Sequence, residues 1–251
     1  MKVDIIHSGS SGNCAIIDDV IAIDAGWRYD KISNLHAVFL THHHTDHTKF
    51  LADFASVPIY CTAETGSRLL QGKFPYFTFN RMPNGAIVLE MNGVFYMIMT
   101  WLLKHDAPCV GYDITKLSEC GENERIFFAT DFNAIVDEER FVGQLKDKTF
   151  DALYIECNNT LTPADFHDVY FPEEGTDLPR DEFHRRKSYE NHCNVNYLIS
   201  LFQRAGYSPI RRFTEPVTLL HKSSYYYMRN VERIADLVAI ANVKNPLYEN
   251  K

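Results

Sequence analysis

The sequence has little that would mark it for the cell exterior or for a membrane. Its six cysteines (Cys14, Cys61, Cys109, Cys120, Cys157 and Cys193) include no C-x-x-C pair. Neither a redox dithiol nor a zinc-ribbon spacing is therefore present, and the thiols read as reduced residues of a cytosolic protein. The opening MKVDIIHSGSSGN meets Asp4 and His7 too early to hold the apolar region of a secretory signal. The longest apolar run, VFYMIMTWLL over Val94–Leu103, is far shorter than the roughly 20 residues that span a bilayer. The expectation is a cytoplasmic protein without membrane contact. Positive charge is scarce too: 25 Lys and Arg stand against 33 Asp and Glu, for a net charge of −8. That balance argues against a broad non-specific nucleic-acid surface, although bound divalent metals would offset part of it. Internal repeats and low-complexity tracts are also missing.

What is there is an ordinary globular composition. Hydrophobic residues make up 45% of 251 residues and charged residues 23%, enough for a sizeable core. Short Val- and Ile-rich runs bounded by Gly, Ser and Asp predict strands at 3–7, 14–18, 20–26 and 37–42, with Ser8–Asn13 as a hairpin-like turn. PIYCTAETGSRLLQ reads as a strand and then a helix from near Thr62. Further strands are expected at 86–91, 94–100, 109–115, 125–131 and 152–157, and helices at 136–146, 194–205 and 224–242. The stretch around 160–190 is polar and rich in Pro and charge, like a lid or insert. Strands mixed with a few helices suggest α/β or α+β layers in one domain spanning 1–251.

One segment stands apart. THHHTDHTKF, Thr41–Phe50, places four histidines and an aspartate within six positions, directly after the strand AVFL. In extended or turn backbone residues i and i+2 face the same way. His42 and His44 can thus aim at one point, with His43 turned away, while Asp46 and His47 reach a second point nearby. Imidazole and carboxylate together suit zinc, iron or manganese. Thr41 and Thr45 are spacers whose hydroxyls can steady the ligands.

His42-x-His44-x-Asp46-His47 resembles the signature of the metallo-β-lactamase fold superfamily, which implies an α/β fold: an αβ/βα sandwich of two mixed sheets flanked by helices. The family's other motifs have counterparts in chain order. IAIDAG supplies Asp24, WLLKHDAP supplies His105, IFFATDF supplies Asp131 and PVTLLHKSS supplies His221. The resemblance covers roughly residues 1–228 and implies a dinuclear site. His42, His44 and His105 would hold one divalent ion, Asp46, His47 and His221 the other, and Asp131 would bridge. Asp24 and Thr41 would support the ligand loop from behind. Zn²⁺ is the default ion for these ligands, with Mn²⁺ or Fe²⁺ the alternatives. Such ions sit about 3.5–4 Å apart and share a hydroxide.

Within the superfamily, SGSSGN…IDAG, HDAPCVGY, TDF and YIECNN are most similar to the YycJ-type, exonuclease-like phosphodiesterases. The resemblance implies a metal-dependent hydrolase acting on a phosphodiester, DNA more than RNA. Asp46 and His192 would be catalytic, and His192 would donate a proton to the leaving oxygen. Arg185 and Arg186 in HRRK could contact phosphates, because guanidinium forks match phosphate geometry. His7, His36, His167 and His184 have no motif context. The chain departs from the YycJ pattern where HCN and HKS follow its late histidines in place of H-L-S. An alternative on the same metals is a small-molecule hydrolase for a cyclic phosphodiester, a lactone or a thioester.

Overall fold

The computed structural model describes residues 1–83, 85–161, 188–223 and 226–246. Among them, two mixed sheets pack face to face, with helices on both outer sides. The first sheet holds six strands in sequence order: β1 (Val3–Gly9), β2 (Gly12–Ile17), β3 (Ile21–Ile23), β4 (Ala37–Phe39), β5 (Ile59–Cys61) and β6 (Phe79–Arg81). It starts as an antiparallel meander and turns parallel from β3 onward. The second sheet holds β7 (Ala86–Met91), β8 (Val94–Lys104), β9 (Cys109–Leu117), β10 (Glu124–Ala129), β11 (Ala134–Ile135), β12 (Ala152–Glu156), β13 (Phe213–Leu220) and β14 (Ala241–Val243). It repeats the pattern: β7 to β10 are antiparallel neighbours, and β10, β12, β13 and β14 run parallel.

Alternation along the strands sorts the side chains into layers. Ile17, Ile21, Ile23 and Phe39 meet Tyr96, Ile98, Tyr112, Ile114 and Phe128 in the layer between the sheets. Their sequence neighbours Ile16, Ala22 and Val38 face outward onto Leu51, Phe54 and Leu69, the last from helix α2 (Ala63–Gln71). On the far side, helices α3 (Glu138–Lys146), α4 (Val195–Arg204) and α5 (Val231–Ile240) cover the second sheet through Phe141, Leu145, Leu198, Phe202 and Leu237. Each of α2, α3 and α4 starts at a residue whose side chain accepts a backbone N–H: Thr62, Asp137 and Asn194.

The expected helix over 224–242 is shorter than its periodicity suggests. Tyr226 and Tyr227 are buried, and the Tyr227 hydroxyl donates to the Pro246 carbonyl at 2.6 Å, so these residues belong to the packed interior before the helix begins. At its other end Ala241–Val243 joins the sheet beside β13, where ladder bonds replace the helical ones. Strand β6 was not foreseen; its short FNR sequence carries no apolar alternation. β4 ends at Phe39, earlier than expected, and β8 runs on to Lys104. The proposed lid falls mostly on 162–187, outside the described residues, as do His167, His184, Arg185 and Arg186. Among the described residues no helix is long and apolar enough to cross a membrane.

Candidate metal centre

Six strands deliver most of the site, each from its C-terminal end. Asp24 follows β3, the histidine loop follows β4, His105 follows β8, Asp131 follows β10, Glu156 closes β12 and His221 follows β13. Within each sheet these strands run in the same direction, so their ends converge on one edge of the sandwich. Two bonds tie the sheets together there: Val110 N–H donates to the Thr41 carbonyl at 3.1 Å, and the Tyr112 hydroxyl donates to the Leu40 carbonyl at 2.6 Å.

The backbone turns sharply at this edge. Asp24, Asp131 and His221 have φ of 61°, 52° and 48°, in the left-handed region. Aspartate tolerates this region better than most residues. Histidine is likewise among the residues found there more often than most, so His221 can turn the chain at this point. Gly26 permits a close approach: a Cβ there would lie 1.6 Å from the Asp46 carbonyl oxygen and 2.6 Å from Asn13 N. The glycine is what lets the ligand loop lie against the β2 hairpin.

The loop itself is held from behind by Asp24, which is buried. Its carboxylate accepts from Thr41 N–H at 2.8 Å and from the Thr41 hydroxyl at 2.9 Å, and it lies 2.7 Å from His47 Nδ1. A carboxylate on Nδ1 fixes the tautomer and leaves Nε2 to bind elsewhere. His44 stands at the N-terminal boundary of the single turn α1 (Thr45–Thr48), which carries Asp46 and His47. His47 Nε2 faces Asp131 Oδ2 at 2.7 Å and Asp46 Oδ2 at 3.5 Å. Burial pulls the His47 pKa down, but Asp24 and Asp131 outweigh it and hold the imidazole well above its ordinary value. His42 is fully buried, and burial and His47 together keep it neutral, with a pKa far below the usual range. A neutral imidazole is the form that binds a metal.

Three groups of potential ligands emerge among the described residues. His42, His44 and His105 bring one nitrogen each to a common point. His42, His47 and Asp131 form a second group, and Asp131, Glu156, His192 and His221 a third. Asp131 stands between them. Its Oδ2 faces His47, and its Oδ1 lies 3.2 Å from His221 Nε2 and 3.8 Å from His192 Nδ1. Burial opposes its ionisation, but His221 and His47 win and hold the carboxyl well below its ordinary pKa. Asp46 stays at the margin of these groups, hydrogen-bonded by Asn13 Nδ2 at 3.4 Å. His43 joins none of them and packs against the His44 ring at 5.1 Å.

Glu156 was not singled out in the sequence. It is fully buried, and its Oε2 accepts from Phe132 N–H at 2.7 Å. Its Oε1 lies 2.7 Å from His192 Nδ1 and 3.1 Å from His221 Nδ1, so one carboxylate orients two imidazoles, which stack at 4.9 Å. Burial lowers the affinity of His192 for its proton, but Glu156 more than restores it and lifts the pKa to about 9. The available signal was a carboxylate closing the apolar strand ALYIE, the pattern that also pointed to Asp131. Asn13, with Nδ2 2.9 Å from His47 Nε2, and Asp106, with Oδ1 3.0 Å from His105 Nε2 and 3.6 Å from His44 Nε2, were missed too.

The donor set fits divalent cations. His42 Nε2, His105 Nε2, His221 Nε2 and Asp131 Oδ1 are buried and make no aligned hydrogen bond among the described residues, although His105 Nε2 lies 3.0 Å from Asp106 Oδ1 and His221 Nε2 lies 3.2 Å from Asp131 Oδ1. Orphaned buried polar atoms are costly, and four that converge on one edge match a coordination sphere. His105 Nδ1 can donate to the Asn191 carbonyl at 3.1 Å, which leaves Nε2 with its lone pair. Beside His192 a cleft of about 690 Å³ opens, lined by Lys104, Asn133, Tyr189, Tyr197 and Arg233.

A family model described as a beta-lactamase superfamily domain matches residues 22–174. No curated protein matches the sequence. Among solved structures, the metallo-beta-lactamase fold protein YhfI from Bacillus subtilis superposes with a TM-score of 0.60 at 14% identity, covering 98% of this chain and 97% of its own. A diphosphatase of the PhnP family gives a TM-score of 0.58 at 16% identity, covering 96% and 93%. An isothiocyanate hydrolase from Delia radicum gut bacteria gives 0.58 at 13% identity, covering 99% and 98%.

Proposed function

Because the chain belongs to the beta-lactamase superfamily, with the metallo-β-lactamase fold, we propose that it is a dinuclear metal-dependent hydrolase of phosphodiesters, a nuclease of the YycJ type acting on DNA ends. The observation that carries this reading is the place of His192. It stands at the boundary between the ligand cluster and the cleft, with Nδ1 occupied by Glu156. Nε2 is then the nitrogen able to give a proton to an oxygen leaving from a bound substrate. A phosphodiester needs such a donor because its leaving alkoxide is strongly basic.

His42, His44 and His105 would hold one ion, and His47, Asp46 and His221 the other, with Asp131 between them. When bound, the ions would activate water at neutral pH and offset the charge on the phosphate. Asp24 and Thr41 keep His47 and the loop in register. Glu156 fixes the orientation of His192, and Lys104 and Arg233 add positive charge where an anionic chain would leave the site. One structural neighbour is a diphosphatase of the PhnP family, in keeping with chemistry at phosphorus. Zinc is the default ion for so many imidazoles. The test is a substrate panel with Zn²⁺- and Mn²⁺-loaded protein: labelled single- and double-stranded DNA, RNA, a thioester and a lactone. Cleavage of DNA from an end is expected. Turnover of the thioester or lactone with no nucleic acid cut would overturn the nuclease reading.

A further inference from the structure

The cleft beside His192 differs in charge from the chain as a whole. The protein carries 33 acidic and 25 basic residues, yet the cleft is lined by Lys104, Arg233 and His192 and by no carboxylate among the described residues. Lys104 closes β8 immediately before His105, and its backbone is pinned by pairing with Ala134 and by Asn133 N–H on its carbonyl at 2.8 Å. Arg233 lies in the first turn of α5. Its contact with Asp236 at 3.3 Å is an exposed i,i+3 pair, which holds it only weakly.

The remaining walls suit a nucleoside. The hydroxyl of Tyr197 accepts from Ile135 N–H at 2.9 Å, so the ring is a fixed aromatic surface. Tyr189 supplies a second ring, packed by Leu161 and Tyr226. Asn133 donates through Nδ2 to the Glu190 carbonyl, and its Oδ1 is buried without a hydrogen-bond partner among the described residues. The volume of about 690 Å³ lies in the range of small-ligand sites, so it takes one unit of a chain and not a duplex.

We propose that this cleft is a subsite for the leaving group: it binds one nucleoside, with its next phosphate held between Lys104 and Arg233. This rests on the phosphodiesterase reading and narrows it. The favoured substrate is a single-stranded chain with a phosphate beyond the leaving nucleoside. A phosphodiester that ends at the scissile bond makes fewer contacts.

The test is calorimetric binding of a nucleoside 3′,5′-bisphosphate and of the bare nucleoside, to metal-loaded and to chelated protein. Wild type should bind the bisphosphate at least about tenfold tighter than the nucleoside, as expected for charge-assisted phosphate contacts, and should still do so after chelation. The double variant Lys104→Met, Arg233→Met should lose that preference while its melting temperature stays unchanged. Equal preference in the variant, no binding to wild type, or binding that disappears on chelation would each overturn the subsite. Since the chelated protein needs no turnover, these outcomes are distinct from failure of the nuclease reading, which the substrate panel reports.

Discussion

His192 and Glu156 show how one side chain sets the task of another. The third ligand group contains His192, so the geometry allows it either to bind an ion or to give a proton. The two roles separate on metal content. His192→Ala should lower turnover by about 10²–10⁴-fold, the usual weight of a positioned acid, while mass spectrometry or inductively coupled plasma analysis still finds two ions per chain. A fall to one ion would make it a ligand. Away from the site, Asp18 shows a simpler coupling. Burial pushes its carboxyl up, but Lys116, the Lys2 N–H and the Tyr96 hydroxyl outweigh that and hold its pKa below 3.8. A depressed native pKa means that its stabilisation is present above the unfolded value and is lost as pH falls through the native one. Asp18→Asn keeps a residue that tolerates the φ of 48° there. It should cost about 1–2 kcal/mol near neutral pH. Urea melts of the two proteins should converge as pH drops well below 3.8.

At the level of elements, the ligand loop works because glycine lies beneath it. The Ala25 N–H donates to the His47 carbonyl and the Phe50 N–H to the Ala25 carbonyl, each at 2.8 Å, so the β3 end and the loop move as one piece. Gly26→Ala would drive a methyl into the Asp46 carbonyl. The clash is with backbone, so no rotamer relieves it. A loss of about 1–3 kcal/mol in stability is expected from such overpacking, together with a clear drop in metal affinity measured by competition with a chelating dye. Unchanged affinity would show that the loop has slack this geometry does not suggest. The elements most legible in the sequence were those with a buried face and a cap, such as α4 with Asn194. β6 and β14 were not, because Phe79–Arg81 carries no apolar alternation and Ala241–Val243 continues a helical pattern, so both owe their strand pairing to a neighbour.

Across the whole molecule, the strand ends create an electrostatic problem that the fold leaves to ions. Six imidazoles (His42, His44, His47, His105, His192, His221) and two buried carboxylates (Asp131, Glu156) crowd one edge, with several atoms left without partners among the described residues. Ions that bind only the folded state stabilise it by mass action, about 2.7 kcal/mol at a hundredfold excess over Kd. Chelation should therefore lower the melting temperature by several degrees, and adding Zn²⁺ or Mn²⁺ should restore it. A melting curve indifferent to chelator would remove the metal centre from the account.

The sequence by itself determined the ligand types and their spacing. Histidines two apart after a strand, and an aspartate closing an apolar strand, are local facts that survive without any fold. Hydrophobic periodicity reached only α/β or α+β layers; the two-sheet sandwich was what the resemblance implied. Only the tertiary structure decided which ligands meet. His42 reaches His105 and Asp131 because Leu40 and Thr41 are bonded across to the second sheet. Glu156 became visible only when burial and two imidazoles surrounded it, and the cationic cleft only when β8 and α5 came together around it. Contacts between residues so far apart in the chain depend on packing between layers, which no local pattern records.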